Sequence, residues 1–354
     1  MKAIILCAGK GTRLRPLTFS NAKHLIPVAN KPVLIYGIEA IVEAGVREIG
    51  IIVGESREAI REAVGDGSTW GARVTYIEQR DPRGLAHAVW VARDFLGDEP
   101  FIMYLGDNLL KEGLREFAET FRRNRPHALI LLYKVPNPEQ FGIAVLHDGK
   151  IARVVEKPRP APTNLAIVGA YIFDRNVFDS IARIRPSRRN ELEITDAIQD
   201  LIERGLTVEP HIVRGWWKDT GKPEDILEAN RFILEDIQPG VFGKIDANSQ
   251  IEGKVVVGQG AEIVNSVIRG PAIIGEGSLI ANSFVGPFTS IGKNVRIEGS
   301  EIEHSVVMEE SVIQHVEGRI DSSLIGRNVA ITRNARRPQV FRFVLGDNSI
   351  SELT

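Results

Sequence analysis

The sequence predicts an α/β fold in two parts: a doubly wound, mostly parallel sheet, then a parallel β-helix. Three observations predict it. Apolar strands alternate with amphipathic helices from residue 1 to about 135. A small-residue turn, Cys7 to Gly11, follows directly on the apolar run Ala3–Leu6. Beyond a break at Gln238-Pro239-Gly240, an apolar residue recurs every five or six positions.

Ala3–Leu6 reads as a buried strand that ends where Gly9 and Gly11 punctuate it. A helix over Val33–Ala44 stops at Gly45, and strand Ile49–Val53, helix Arg57–Val64 and strand Val74–Glu78 follow. Leu85–Phe95 reads as one helix, Phe101–Leu105 as a strand, Leu114–Arg123 as a helix and Ala128–Tyr133 as a strand. Ligands of such sheets bind beyond the carboxyl ends of the strands, where Gly106-Asp107-Asn108 also lies. From about 140 the pattern is mixed. His147-Asp148-Gly149-Lys150 looks like a hairpin turn, Ile167–Phe173 and Val208–Val213 like strands, and Val177–Ala182, Ile194–Glu203 and Glu224–Leu234 like helices. This part is expected to extend the same sheet. The first domain is therefore drawn over 1–237.

The second is drawn over 244–354. Ile251, Val257, Ile263, Ile268, Ile274, Ile280, Val285, Ile291, Ile297 and Ile302 mark its repeat, and Ile325 and Ile331 resume it after a less regular patch. This is the hexapeptide period of a left-handed β-helix, each coil stacking its β-branched residue on the next. Phe341 to Thr354 is expected to cap the last coil.

A net charge of −2 gives no bulk field for nucleic acid or a membrane surface, so an anionic ligand needs a local cation cluster. The single Cys7 excludes an intrachain disulfide and fits a reducing cytoplasm. The apolar start is too short for a signal peptide, and no stretch is long enough to span a membrane.

Glycines let backbone N–H groups approach an anion, and Arg13, Arg15 and Lys23 follow this turn, the makings of a nucleoside triphosphate site. Gly9-Lys10-Gly11 lacks the third glycine of a dinucleotide fingerprint, and no G-K-[ST] of a P-loop is present. The order G-x-G-T-R-L-x-P-x-T, then K-x-L-x-P-V, resembles the sugar nucleotidylyltransferases. With the β-helix, the resemblance narrows to the long form of the glucose-1-phosphate thymidylyltransferases and covers nearly the whole chain.

The resemblance implies transfer of a nucleotidyl group from dTTP to a hexose 1-phosphate, glucose 1-phosphate foremost, with Mg2+ as cofactor. Arg13 and Lys23 match the residues that hold the triphosphate and the leaving pyrophosphate. Leu6, Ala8, Gly9, Gly11 and Thr12 match the nucleotide-binding turn. Gln79 and Gly84 match the base-recognition segment; a glutamine amide offers a donor and an acceptor to a pyrimidine edge. Asp107 in LGDN and Asp219 in W-x-D-T-G match the metal ligands, although an aspartate beside a glycine is ordinarily a turn former. Lys157 and Glu156 form the E-K-P motif, the lysine for the sugar phosphate and the glutamate for sugar hydroxyls. Gly142, Val168, Gly169 and Arg189 match the sugar side. Phe141 replaces the usual tyrosine, Asn190 the usual glycine after Arg189, and Cys7-Ala8 glycines of short-form members.

The same chemistry with UTP or N-acetylglucosamine 1-phosphate is an alternative. So is a bifunctional protein whose β-helix transfers acetyl groups through His304 or His315; both read more simply as surface histidines. The apolar β-helix faces suit a homo-oligomer, and the expected location is the cytoplasm.

Overall fold

Strand Lys2–Cys7 is buried from Ala3 onward, and its alternate residues face opposite cores. Ala3 and Ile5 join one apolar cluster; Ile4 and Leu6 join another. This is why the first run carries no polar alternation: a parallel strand covered on both faces is apolar throughout. The computed structural model describes residues 1–333 and 348–351. The expected C-terminal cap, apart from residues 348–351, lies outside them.

The chain divides into two compact units. The first comprises residues 1–10, 21–25 and 33–219, the second residues 11–20, 26–32 and 220–354.

The first unit is built on a nine-stranded mixed sheet. Lys2–Cys7 lies between Glu48–Val53 and Phe101–Leu105, parallel to both, with Ile5 opposite Ile51 and Tyr104. Arg73–Glu78 forms one edge, parallel to Glu48–Val53. On the other side Leu165–Phe173 runs antiparallel to Phe101–Leu105 and also pairs Ala128–Lys134 and Gly142–His147. The antiparallel hairpin Gly142–His147/Lys150–Glu156 turns through Asp148 and Gly149, both with positive φ, at 50° and 76°. Two left-handed central residues give the turn whose twist matches its strands. The helix expected over Leu85–Phe95 is two helices, Leu85–Val91 and Arg93–Leu96. They part at Ala92 (ψ 0°), whose N–H is shared among the carbonyls of Ala88, Val89 and Trp90.

In the second unit residues 240–332 wind through three stacks of parallel strands, the arrangement of a left-handed β-helix. The apolar residues form three columns, buried through the middle and partly exposed toward the ends. One runs Val257, Ile274, Ile291, Val307, Ile325; another Ile263, Ile280, Ile297, Ile313, Ile331; the third Ile251, Ile268, Val285, Ile302, Ile320. The irregular patch in the sequence is thus filled by Val307, Ile313 and Ile320. The period was hidden because extra residues at Val316-Glu317-Gly318 lengthen one corner. The hydroxyls of Ser266, Ser283 and Ser300 each accept the N–H of the next coil, from Ser283, Ser300 and Val316 at 3.0–3.2 Å. Corners pass through left-handed residues, among them Asn265, Asn282, Asn294 and Asn328, a residue type that tolerates this backbone.

Helix Pro223–Glu235 packs on this unit through Asn230, which is fully buried. Its Oδ1 accepts from the N–H of Ala29 (2.8 Å) and the hydroxyl of Ser290 (2.7 Å), and its Nδ2 donates to the carbonyl of Phe288 (2.9 Å). Asn30 adds a bond to the Ile291 carbonyl at 2.6 Å. Among the described residues no helix is long and apolar enough to cross a membrane.

Candidate active site

Where strand Phe101–Leu105 ends, the chain turns through Gly106 and enters a short strand, Asn108–Leu110. A Cβ at Gly106 would lie 2.5 Å from the Cys7 sulfur, so only glycine lets the two strand ends run side by side. Asp107 is thereby held at the sheet rim, nearly buried, and its carboxylate takes an ion pair from Lys23. Lys23 reaches it across Gly9, where a Cβ would stand 3.2 Å from its Cε. Burial opposes the Asp107 charge, but Lys23, His24 and the Asn108 amide together outweigh it and hold the carboxyl below the usual carboxylate range. Burial likewise opposes the Lys23 charge, and Asp107, then Asp219, more than compensate.

Asp219 belongs to strand Trp217–Asp219, antiparallel to Asn108–Leu110, with Asp219 opposite Asn108. Asn108 ties the pair together. Its Nδ2 donates to Asp107 at 2.9 Å and its Oδ1 accepts from the Trp217 indole at 2.6 Å. Gly169 leaves room for that amide, since a Cβ there would meet Asn108 Oδ1 at 2.5 Å. Val168 beside it is buried in the core. Asp107 and Asp219 thus direct their fields on one lysine ammonium. An oxygen-only pair of carboxylates that already draws a cation has the donor chemistry of a hard divalent ion such as magnesium.

A second cluster of the same unit gathers at the end of strand Lys150–Glu156. Glu156 accepts from Arg189 and from the Thr195 hydroxyl, each at 3.0 Å, and pairs with Lys157 at 3.7 Å. Arg189 also holds Glu193 at 2.9 Å. Burial, then repulsion from Glu193, raises the Glu156 carboxyl above its ordinary pKa against these partners. Gly142 admits the crowd: its Cβ would lie 2.6 Å from Thr195 Cγ2 and 3.3 Å from Glu156 Oε2. Lys157 has φ 41°, a left-handed backbone uncommon for lysine, and its ammonium is substantially exposed. Asn190, where the motif ordinarily has glycine, adopts the left-handed conformation itself, at φ 61°. Phe141 packs edge-on against Trp217 at 5.6 Å.

Gln79 is buried after strand Arg73–Glu78, its side-chain nitrogen 2.8 Å from His87 Nδ1 and 3.4 Å from the Gly84 carbonyl. Gly84 (φ 100°) passes under Leu192, whose carbonyl oxygen a Cβ would approach to 2.5 Å. Leu192 bonds Arg83 and Ala86 there, so the Gln79 loop is fastened to the segment that carries Arg189 and Glu193.

Leu6 lies one residue before the end of strand Lys2–Cys7, largely buried, and Ala8 follows the strand half-buried. Gly11, Thr12 and Arg13 fall in the second unit. There Gly11 (φ 63°) precedes the turn Thr12–Leu14, its carbonyl accepts from the Thr18 hydroxyl at 2.8 Å, Leu14 is buried and Arg13 is exposed. On the β-helix, His304 meets Asp321 at 3.0 Å and stacks on Phe288 at 5.7 Å, while His315 occupies a left-handed corner.

Residues 2–236 match the family model described as nucleotidyl transferase. The chain belongs to that family. This nucleotidyl transferase is 50% identical over 355 residues to a glucose-1-phosphate thymidylyltransferase of Streptomyces antibioticus, covering 100% of this chain and 99% of that one. It is 52% identical over 354 residues to the low-salt glycan biosynthesis nucleotidyltransferase Agl11 of Haloferax volcanii, covering 99% of each. A solved structure from Bacillus anthracis, assigned as a glucose-1-phosphate thymidylyltransferase, superposes with a TM-score of 0.63 at 34% identity, over 68% of this chain and 97% of that one. The resemblance drawn from the motifs therefore extends along the full chain.

In this nucleotidyl transferase the roles of several site neighbours were not assigned from the motifs: Asn108 between Asp107 and Trp217, Glu193 and Thr195 around Glu156, and His87 on Gln79. Their roles rest on side-chain geometry and, apart from the Asn108–Asp107 bond, on partners distant in sequence, which spacing does not encode. Asn108 and His87 had local cues, the first as the last residue of LGDN and the second one helical turn beyond Gly84.

Proposed function

We propose that this chain transfers a thymidylyl group from dTTP to α-D-glucose 1-phosphate, giving dTDP-glucose and pyrophosphate. The observation that carries the chemistry is the Lys23 ammonium held by Asp107, with Asp219 acting on it. Full-length similarity to a thymidylyltransferase supports the choice of substrates.

The nucleophile is a phosphate oxygen, ionised near neutral pH because its second pKa is about 6, so no general base is required. The barrier is the meeting of two polyanions and the charge that grows on pyrophosphate. Lys157 holds the sugar phosphate for in-line attack on the α-phosphorus, and Glu156 and Arg189, with Gly142, Val168 and Gly169, frame the sugar. Arg13 and Lys23 hold the leaving group. Leu6, Ala8, Gly9, Gly11 and Thr12 supply backbone to the nucleotide, and Gln79 and Gly84 receive the base. Asp107 and Asp219 would hold magnesium, which when bound neutralises phosphate charge. Residues 1–237 carry this chemistry in the proposal. Residues 244–354 drive assembly of a cytoplasmic homo-oligomer.

Pyrophosphate release, measured over a grid of nucleoside triphosphates and sugar 1-phosphates with magnesium, tests the reading. Expected is a strong preference for dTTP with glucose 1-phosphate. Preference for UTP or N-acetylglucosamine 1-phosphate would replace the substrates and keep the mechanism, whereas no release from any pair would overturn it.

A further inference from the structure

The Gln79 amide has its orientation chosen for it. The side chain is 4% exposed, and one of its two polar atoms faces both the Gly84 carbonyl, at 3.4 Å, and His87 Nδ1, at 2.8 Å. A carbonyl only accepts hydrogen bonds, so the atom between them is Nε2 and not Oε1. His87 Nδ1 must then accept as well, which puts the imidazole proton on its Nε2 and leaves the ring neutral. Burial, and then Arg83, pushes the imidazole below its ordinary pKa against the pull of Asp81, consistent with an accepting nitrogen. His87 is placed for this by helix Leu85–Val91, which starts directly after Gly84. The bond to His87 takes one proton of Nε2. Among the described residues the other has only the long contact to Gly84, which leaves it for an acceptor on a base.

We propose that His87 is a specificity-determining residue: as a neutral acceptor it locks the Gln79 amide in the orientation that reads a keto pyrimidine, thymine or uracil, and rejects cytosine. The two bases present opposite patterns at the same two positions. Thymine and uracil offer an acceptor, O4, beside a donor, N3–H. Cytosine offers a donor, the 4-amino group, beside an acceptor, N3. An amide held one way pairs with the first pattern and opposes the second at both atoms, and turning it by 180° exchanges the preferences. Without His87, only the long 3.4 Å contact to the Gly84 carbonyl opposes turning of the amide; with His87 in place, the wrong base leaves buried polar groups unpaired. This rests on the proposed role of Gln79 in base recognition.

The test compares kcat/KM for dTTP and dCTP, a pair that differs only in the base, with glucose 1-phosphate and the full-length protein. His87→Lys presents a donor in place of the acceptor. It is expected to lower the dTTP/dCTP ratio at least tenfold, with kcat/KM for dCTP rising in absolute terms. His87→Glu keeps an acceptor and is expected to retain the wild-type ratio. A packing role alone would make the two variants lose activity together on both nucleotides with the ratio unchanged, and that result overturns the proposal. Failure of the wild type to use any pyrimidine triphosphate would instead refute the proposed function.

Discussion

The two units bury similar aliphatic side chains and use them differently. In the sheet unit each strand has its own sequence and its own neighbours, and the polar residues collect where strands stop. Asp107, Glu156 and Asp219 all lie at or just past a strand end. In the β-helix every coil presents the same three columns, and its polar residues repeat with them. Left-handed residues show the contrast. Those of the β-helix recur at successive corners, whereas Lys157 and Asn190 in the sheet unit are single occurrences beside the Glu156 cluster. Regularity spreads backbone strain evenly over a scaffold; irregularity concentrates it where charged groups meet.

The sharpest way to break this contrast is at the acid pair. Asp107→Asn preserves shape and removes the charge that faces Lys23. It is expected to lower kcat about 10³-fold, the scale for losing a preorganised electrostatic partner. Thermal unfolding of the same variant should still show a cooperative transition. A near-wild-type rate would remove Asp107 from the site.

Asn230 tests the scaffold. Asn230→Ala leaves the Ala29 N–H, the Ser290 hydroxyl and the Phe288 carbonyl without their partner, at a cost of about 2–4 kcal/mol. Urea unfolding measures this, and a loss below 1 kcal/mol would mean that the three groups find other partners.

A milder perturbation is acid. Burial, with Lys23 alongside, pushes the His24 imidazole from 6.5 down to about 3. The folded state therefore keeps it neutral while the unfolded chain protonates it. Stability contributed by the neutral ring is full above pH 6.5 and falls as pH drops toward 3. At pH 5 the loss is about 2 kcal/mol, at roughly 1.4 kcal/mol per pH unit. His24→Leu should flatten this part of the pH–stability curve, and an unchanged slope would assign it to other groups. Smallest of all is Ile291→Val, which trims one methyl from a column that Ile274 and Val307 continue on either side. About 1 kcal/mol is expected. A markedly larger loss in a denaturation series would show that the columns fail as a whole.

The elements that sequence made legible are those whose signal is local. Alternating apolar runs gave the strands of the sheet, Asp148-Gly149 gave the hairpin, and the five-to-six-residue recurrence gave the β-helix. The motifs gave the names of Lys23, Asp107, Glu156 and Arg189, and the structure assembles Lys23 with Asp107 and Glu156 with Arg189. Less legible was anything that depends on a distant partner. The division of the signature stretch, with residues 11–20 and 26–32 joining the second unit, has no local mark. The break at Ala92 is another such case, since nothing in LAHAVWVARDF stops a helix. Gly169 shows the limit best: its motif suggested the sugar face, and its packing reason is Asn108, sixty-one positions earlier.

The serine ladder links the regular coils at an interval of seventeen residues, with the coils around Val316 one residue shorter or longer. A coil made this way is interchangeable with its neighbours, because each advances the stack by about one strand spacing of 4.8 Å and ends where it began. Length in this domain is consequently quantised. Recombination between equivalent codons of two coils would add or delete one whole turn, leave every column continuous, and lengthen or shorten the prism without rewriting its ends. For such a domain, gene duplication at the scale of a few dozen nucleotides is a conservative change.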